Sequence, residues 1–337
     1  MDPLILALAV IVFALVYDVS NGWNDSANAI ATVVSTRVMR PATAIVFGAG
    51  FNFLGALFSS EVAKTVGKDI ADPALLTPVT FLSAVLISPA WIALCTWKAL
   101  PISCSHALMG GLIGSVLATT GPAGLKSEGI NKIIVGVFVS PFAGFILGMV
   151  IVVAIYWIFR KWTPHRVTGL FGKLQILSAG AMAFSHGTGD AQKAMGIITG
   201  ALISGGLISA GAAGEMPIPL WVRLACAAAM AMGTAFGGWK VIRTLGMRLA
   251  HMRPVQGFAA ETGAAVTILV NTLTGVPMST THTITGAIVG VGAAQGTRHV
   301  KWGIGGKIVF AWLVTFPVCI AGGAAVFILL GFLGIRA

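Results

Sequence analysis

Two short motifs occur twice in this chain, in the same order, and that duplication restricts its fold more than any other feature. Ser20-Asn21-Gly22-Trp23-Asn24-Asp25-Ser26-Ala27-Asn28 closes an apolar run in the first half. Ser185-His186-Gly187-Thr188-Gly189-Asp190-Ala191-Gln192-Lys193 closes another in the second, with the Asp residues 165 positions apart. Further on, Pro101-Ile102-Ser103-Cys104-Ser105-His106 returns 176 positions later as Pro277-Met278-Ser279-Thr280-Thr281-His282. Both copies lead into glycines at helical spacing, Gly110 and Gly114, then Gly286 and Gly290. A weaker match links residues 55–58 with 233–236. The chain is a duplicated unit.

Composition says which solvent that unit meets. Of 337 residues, 57% are hydrophobic and 9% charged, against about 25% charged in an ordinary soluble domain. Apolar length suffices for roughly 10 crossings or hairpin arms at about 20 residues each. A soluble enzyme, a nucleic-acid-binding domain and a disordered linker are all excluded. The net charge of +11 arises from Lys and Arg gathered in short loops that stay cytoplasmic, so no nucleic-acid partner is expected. Cys95, Cys104, Cys226 and Cys319 sit singly in apolar surroundings without a C-x-x-C pair, which predicts small buried residues. The first residues lack the basic region of a signal peptide, so the first apolar stretch is expected to be retained.

The repeat and the charge rule together predict topology. Residues 1–159 form the first repeat, 160–173 a basic linker, and 174–337 the second repeat. Each half is expected to cross at its Asp motif, cross back, make a re-entrant hairpin at its Pro-x-Ser motif, and cross again. Three crossings invert the second half relative to the first. The inside segments then hold Arg37, Arg40, the linker's basic residues, and those from Lys240 to Lys307, with no carboxylate. The outside segments hold Lys64, Lys68, Lys126, Lys132, Arg223 and Arg336 against Asp2, Glu61, Asp69, Asp72, Glu128 and Glu215. That asymmetry predicts a cytoplasmic linker and both termini outside. The expected fold is an all-α polytopic membrane protein, an inverted-topology repeat transporter with broken helices and two re-entrant helical hairpins.

Asp25, Asp190, Lys193 and Glu261 fall inside apolar segments, where each ionisable group costs on the order of 3 kcal/mol. A structural Asp190–Lys193 ion pair at i,i+3 accounts for two of them. It leaves Asp25 unexplained, and the default for such groups is an ion or substrate pathway. Gly, Asn and Ser beside the Asp residues are expected to interrupt the helices there, freeing backbone groups to line a cavity. The Pro-x-Ser segments suit an oxyanion: Ser caps the following helix, whose amides and positive end face the site. Hydroxyls of Ser103, Ser105, Ser279, Thr280 and Thr281 add donors. Capping with close small-residue packing is the bland alternative; its recurrence at equivalent positions favours function. His106 and His282 read as hairpin-stabilising residues. No serine-hydrolase triad, Walker pattern or zinc motif is present, so no enzyme and no cofactor are expected.

These motifs, with Gly237-Gly238-Trp239-Lys240 and the Glu261 segment, resemble the signatures of the inorganic phosphate transporter (PiT) family over nearly the whole chain. The resemblance implies import of inorganic phosphate by symport with H⁺ or Na⁺, in some bacterial members as a metal–phosphate complex, often from a homodimer in the inner (plasma) membrane. It assigns substrate to Ser103, Ser105, Ser279, Thr280, Thr281, Asn28 and Gln192, and the coupling ion to Asp25, Asp190, Asn24 and Glu261. Two departures bear on the ion. The family's Asn-Asp pair becomes Gly189-Asp190, and the first hairpin reads Ser103-Cys104-Ser105 where Ser-Thr-Thr is usual. Both remove Na⁺ ligands, and Lys193 disfavours a further cation, so H⁺ is expected over Na⁺. A sulfate permease on the same scaffold and an uncoupled anion channel are the alternatives.

Overall fold

The structure, a computed structural model, describes residues 2–72, 75–211 and 216–335. Glu215 and Arg336, two charges in the topology count, lie outside them. Twelve helices are present among the described residues, and no strand beyond two isolated bridges. Proline opens five of them, at Pro3, Pro41, Pro78, Pro164 and Pro254. That position loses no helical hydrogen bond and presets φ.

The same order of elements appears twice. A long helix, α1 (Pro3–Ser35), is followed by α2 (Pro41–Ala56) and then α3 (Glu61–Lys64), which continues as a wider turn, Thr65–Asp69. A hairpin of α4 (Pro78–Trp97) and α5 (Cys104–Thr120) precedes the long α6 (Ser127–Ile158). The second round is α7 (Pro164–Ser204), α8 (Leu220–Phe236), α9 (Trp239–Arg243) with its wider turn Thr244–Leu249, the hairpin α10 (Pro254–Leu273) and α11 (Thr280–Ala294), and α12 (Trp302–Phe332). Small details repeat with it. Pro141 lies inside α6 and Pro317 inside α12. The bridge Ala71–Leu125 has its counterpart in Ala250–Val300. Among the described residues, five helices are long and apolar enough to cross a membrane, or seven if each bent pair counts as one span. The protein is a multi-pass membrane protein.

The halves interlock rather than stand apart. α1 packs on α8 as α7 packs on α2, and α5 packs on α12 as α11 packs on α6. Glycine permits this approach. A Cβ on Gly22 would lie 2.3 Å from the Met230 carbonyl oxygen, and one on Gly187 would lie 2.1 Å from that of Asn52. Small residues at such crossings let backbones meet in a solvent that offers no hydrophobic drive between helices.

One expectation needs correction. The Asp motifs do not break their helices: α1 and α7 run unbroken through Asp25 and Asp190. Their glycines serve the close crossings instead, and a helix tolerates each at about 1 kcal/mol. The breaks fall in the next element of each half. The axis turns by 66° between α2 and α3 and by 63° between α8 and α9. Within the basic stretch 160–173, residues 164–173 form the opening turns of α7.

Charge separates along the length of α6, about 48 Å for 32 residues. Near its start, Lys132 pairs with Asp69 and Glu128, and Lys126 with Asp72. Beyond its end, Arg160 lines a cavity with Arg253, and Arg248, Arg298, Lys301 and Lys307 line another.

Candidate transport site

Asp25 and Asp190 come from different halves and meet at the first turn of α11. Ser279 caps that helix, accepting from the His282 amide at 3.2 Å. Its next two residues carry the contacts. The Thr281 hydroxyl donates to Asp25 Oδ1 at 3.1 Å, and the Thr280 hydroxyl to Asp190 Oδ2 at 3.1 Å and Asp25 Oδ2 at 3.5 Å. Two carboxylates therefore face the positive end of a helix, where negative charge is favoured. Asn28 donates its amide to both threonines, at 3.4 and 3.1 Å. The Lys193 ammonium, one turn beyond Asp190 on α7, hydrogen-bonds to Asp190 Oδ1.

His186 completes the cluster, and no sequence motif assigned it there. Its Nε2 lies 3.6 Å from Asp25 Oδ2 and 3.5 Å from Asp190 Oδ2. Its Nδ1 lies 3.0 Å from Asn52 Oδ1, and Asn52 donates to Thr234 at 2.8 Å. The imidazole is thus held from behind by the two bent pairs and presented to both carboxylates. The available signal was its i,i+4 spacing to Asp190 inside an apolar run. Ligand atoms of Asp25, His186 and Asp190 lie within 4.8 Å of one another, a set able to take one cation. None of these side chains is more than 1% exposed. The site is occluded.

The first hairpin contributes differently from the second. Ser103 caps α5 by accepting from the His106 amide at 3.1 Å, as Ser279 does for α11. Ser105, at the position of Thr281, donates to the Met278 carbonyl at 3.1 Å and so ties the two hairpin tips together. Tyr17 donates to the Cys104 carbonyl at 3.3 Å. The hairpin histidines pack as a pair, His106 edge-on to His282 at 4.5 Å and His282 stacked on Trp312 at 3.7 Å.

Three assigned residues lie elsewhere. Asn24 turns to hairpin one, donating to Thr96 at 2.7 Å. Gln192 accepts from the amides of Val62 and Ala63, at 2.8 and 3.2 Å, and donates to the Thr188 carbonyl. Its amide caps the start of α3 at the break, as Ser26 accepts from the Gly238 amide at 2.7 Å at the other break. Backbone amides freed inside a membrane need such partners. Glu261, on α10, sits in a separate nest with Thr32 and Ser178 hydroxyls and the Gln175 amide, the last at 3.0 Å.

An occluded pair of carboxylates at a helix end, inside a duplicated helical bundle with two hairpins, is an arrangement suited to an ion or substrate pathway through a membrane. Over residues 21–323 the chain matches the model of the phosphate transporter family, and it belongs to that family. It is 44% identical over 317 residues to a protein of Rhizobium meliloti (strain 1021) described as "Probable low-affinity inorganic phosphate transporter", covering 94% of this chain and 93% of that one. A Bacillus subtilis (strain 168) protein of the same description is 40% identical, covering 97% and 98%. A solved structure titled "The sodium-dependent phosphate transporter" superposes with a TM-score of 0.87 at 25% identity, covering 97% of this chain and 99% of that one.

Proposed function

We propose that this protein imports inorganic phosphate by proton symport, with its halves in inverted orientation and the Asp25–His186–Asp190 cluster as the coupling centre. The observation that carries it is the meeting of both motif carboxylates at the Thr280–Thr281 helix end. Asp25 can accept a hydrogen bond from a protonated oxyanion, which phosphate offers and sulfate does not. The threonine hydroxyls, Asn28 and the Lys193 ammonium supply donors, so one site holds both the acceptor and the donors that phosphate needs.

The choice of H⁺ over Na⁺ rests on charge. Lys193 already places a cation against Asp190, and a second fixed cation there meets repulsion in a medium of low dielectric. His186 presents one ring nitrogen to both carboxylates, the arrangement a shared proton needs. Binding at an occluded centre and release to either side then follow from one set of helices moving against the other. A divalent cation carried with phosphate is the second reading: Asp25, His186 and Asp190 form a three-ligand set, and the phosphate charge that accompanies the ion offsets its repulsion from Lys193.

Purified protein in sealed liposomes tests this. Labelled phosphate uptake is measured under a pH gradient alone and under a Na⁺ gradient alone, with unlabelled sulfate as competitor and with Mg²⁺ present or chelated. Uptake driven by the pH gradient and insensitive to sulfate is expected. Uptake that requires Na⁺ overturns the coupling assignment, and loss on chelation moves the substrate to the metal complex.

A further inference from the structure

The coupling centre leaves two buried carboxylates unused among the described residues, and of these Glu261 is already held by three hydrogen-bond donors. Asp18 lies on α1 with no exposed surface, and its carboxylate has no nitrogen or oxygen partner, only the weakly donating thiol of Cys226 beside it. One turn further, Asn21 is equally buried, with both its amide nitrogen and oxygen unpartnered. The spacing 18, 21, 25 puts both on the Asp25 side of α1. Seven residues along the helix set Asp18 about 10 Å from Asp25. A carboxylate buried this deeply must be paired or neutralised. The nearby lysine is engaged, since Lys193 bonds to Asp190. The titratable and charged groups facing Asp18 are the Cys226 thiol from α8 and Asp190 and Lys193 from α7, with Tyr17 beside it on α1. Tyr17 is occupied by the Cys104 carbonyl of α5.

We propose that Asp18, with Asn21, is a second coupling-proton site in series with the Asp25–His186–Asp190 cluster. The inference rests on the proton-symport reading above. Asn21 suits the task because its carbonyl accepts from a protonated carboxyl and its NH₂ donates to an ionised one. Turning the amide serves both states in place. A metal cation is the poorer occupant, since hard cations call for a shell of oxygens and the neighbour on α8 is a thiol. At the cluster itself the Asn28 side-chain oxygen is buried and unpartnered too. Protons reach or leave the cluster along this side of α1, and Asp18 holds one of its own during each cycle.

The test is the number of protons moved per phosphate, read with a trapped pH dye and labelled phosphate in the same proteoliposomes. Asp18→Asn is expected to move one proton fewer than the wild type. Its limiting accumulation then falls about tenfold for each pH unit of gradient, the factor carried by one coupled proton. Asn21→Leu, which removes the amide and keeps the volume, is expected to lower the ratio as well, and gives the answer if Asp18→Asn does not elute as a folded species. A wild-type ratio in the folded variants overturns the proposal, as does a folded variant that moves no phosphate at all. Wild-type protein that ignores the pH gradient fails differently: it removes the symport reading itself, and the proposal with it.

Discussion

At the scale of single residues, chemistry is set by who faces whom across the two halves. Asp25 alone is an unexplained charge in an apolar run; with Thr281, His186 and Asp190 around it, it is half of a shared centre. His186→Asn puts the first-half residue, Asn21, into the second-half position. The amide can keep a hydrogen bond to Asn52 but cannot take a proton. Accumulation of phosphate under a pH gradient is expected to fall by about tenfold per pH unit, measured as the steady inside-to-outside ratio. An unchanged ratio removes His186 from the coupling step. The convergence of Asp25, Asp190, Thr280 and Thr281 was legible from the repetition of their motifs in an apolar context. His186 was not, because its repeat partner is asparagine and the duplication therefore gave it no support. Gln192 lies apart from these groups because its side chain caps the bend at α3.

Helices succeed here because glycine lets them touch. The expectation that the Asp motifs break their helices failed on this point: the same residues that weaken a helix in isolation are those that admit a neighbour's backbone. Gly22→Val drives a side chain into the Met230 carbonyl. It is expected to cost at least 1–3 kcal/mol, about the range for overpacking, and to lower the midpoint in a detergent thermal-unfolding assay. Gly169 lies on the same kind of long helix with open space around it. Gly169→Ala is expected to raise stability by up to about 1 kcal/mol. Equal effects at the two sites contradict the packing account. The hairpins were legible from Pro, Ser and small-residue spacing, and Ser103 and Ser279 cap their helices as that pattern requires. The 66° and 63° bends were not, because they depend on caps arriving from the opposite half.

For the whole molecule, duplication supplies one centre built from both halves. The element order was legible because motifs kept their order and spacing; the interlocking of α1 with α8 and α7 with α2 was not, since no sequence pattern names a partner helix. Inversion of the halves makes a prediction of its own. Lys64, half-buried, and Lys240, exposed, sit at equivalent bends, and all four cysteines are buried. Lys64→Cys is expected to react with an impermeant maleimide added outside intact cells, and Lys240→Cys only after permeabilisation. Labelling of both from one side contradicts the inversion. The central claim, that the two motif carboxylates couple phosphate to its driving ion, is tested most directly by concentrative uptake in Asp25→Asn and Asp190→Asn proteoliposomes. Both proteins are expected to fold, by monodisperse elution, and to accumulate no phosphate under the gradient that drives the wild type. Normal concentrative uptake by both folded variants would contradict the account.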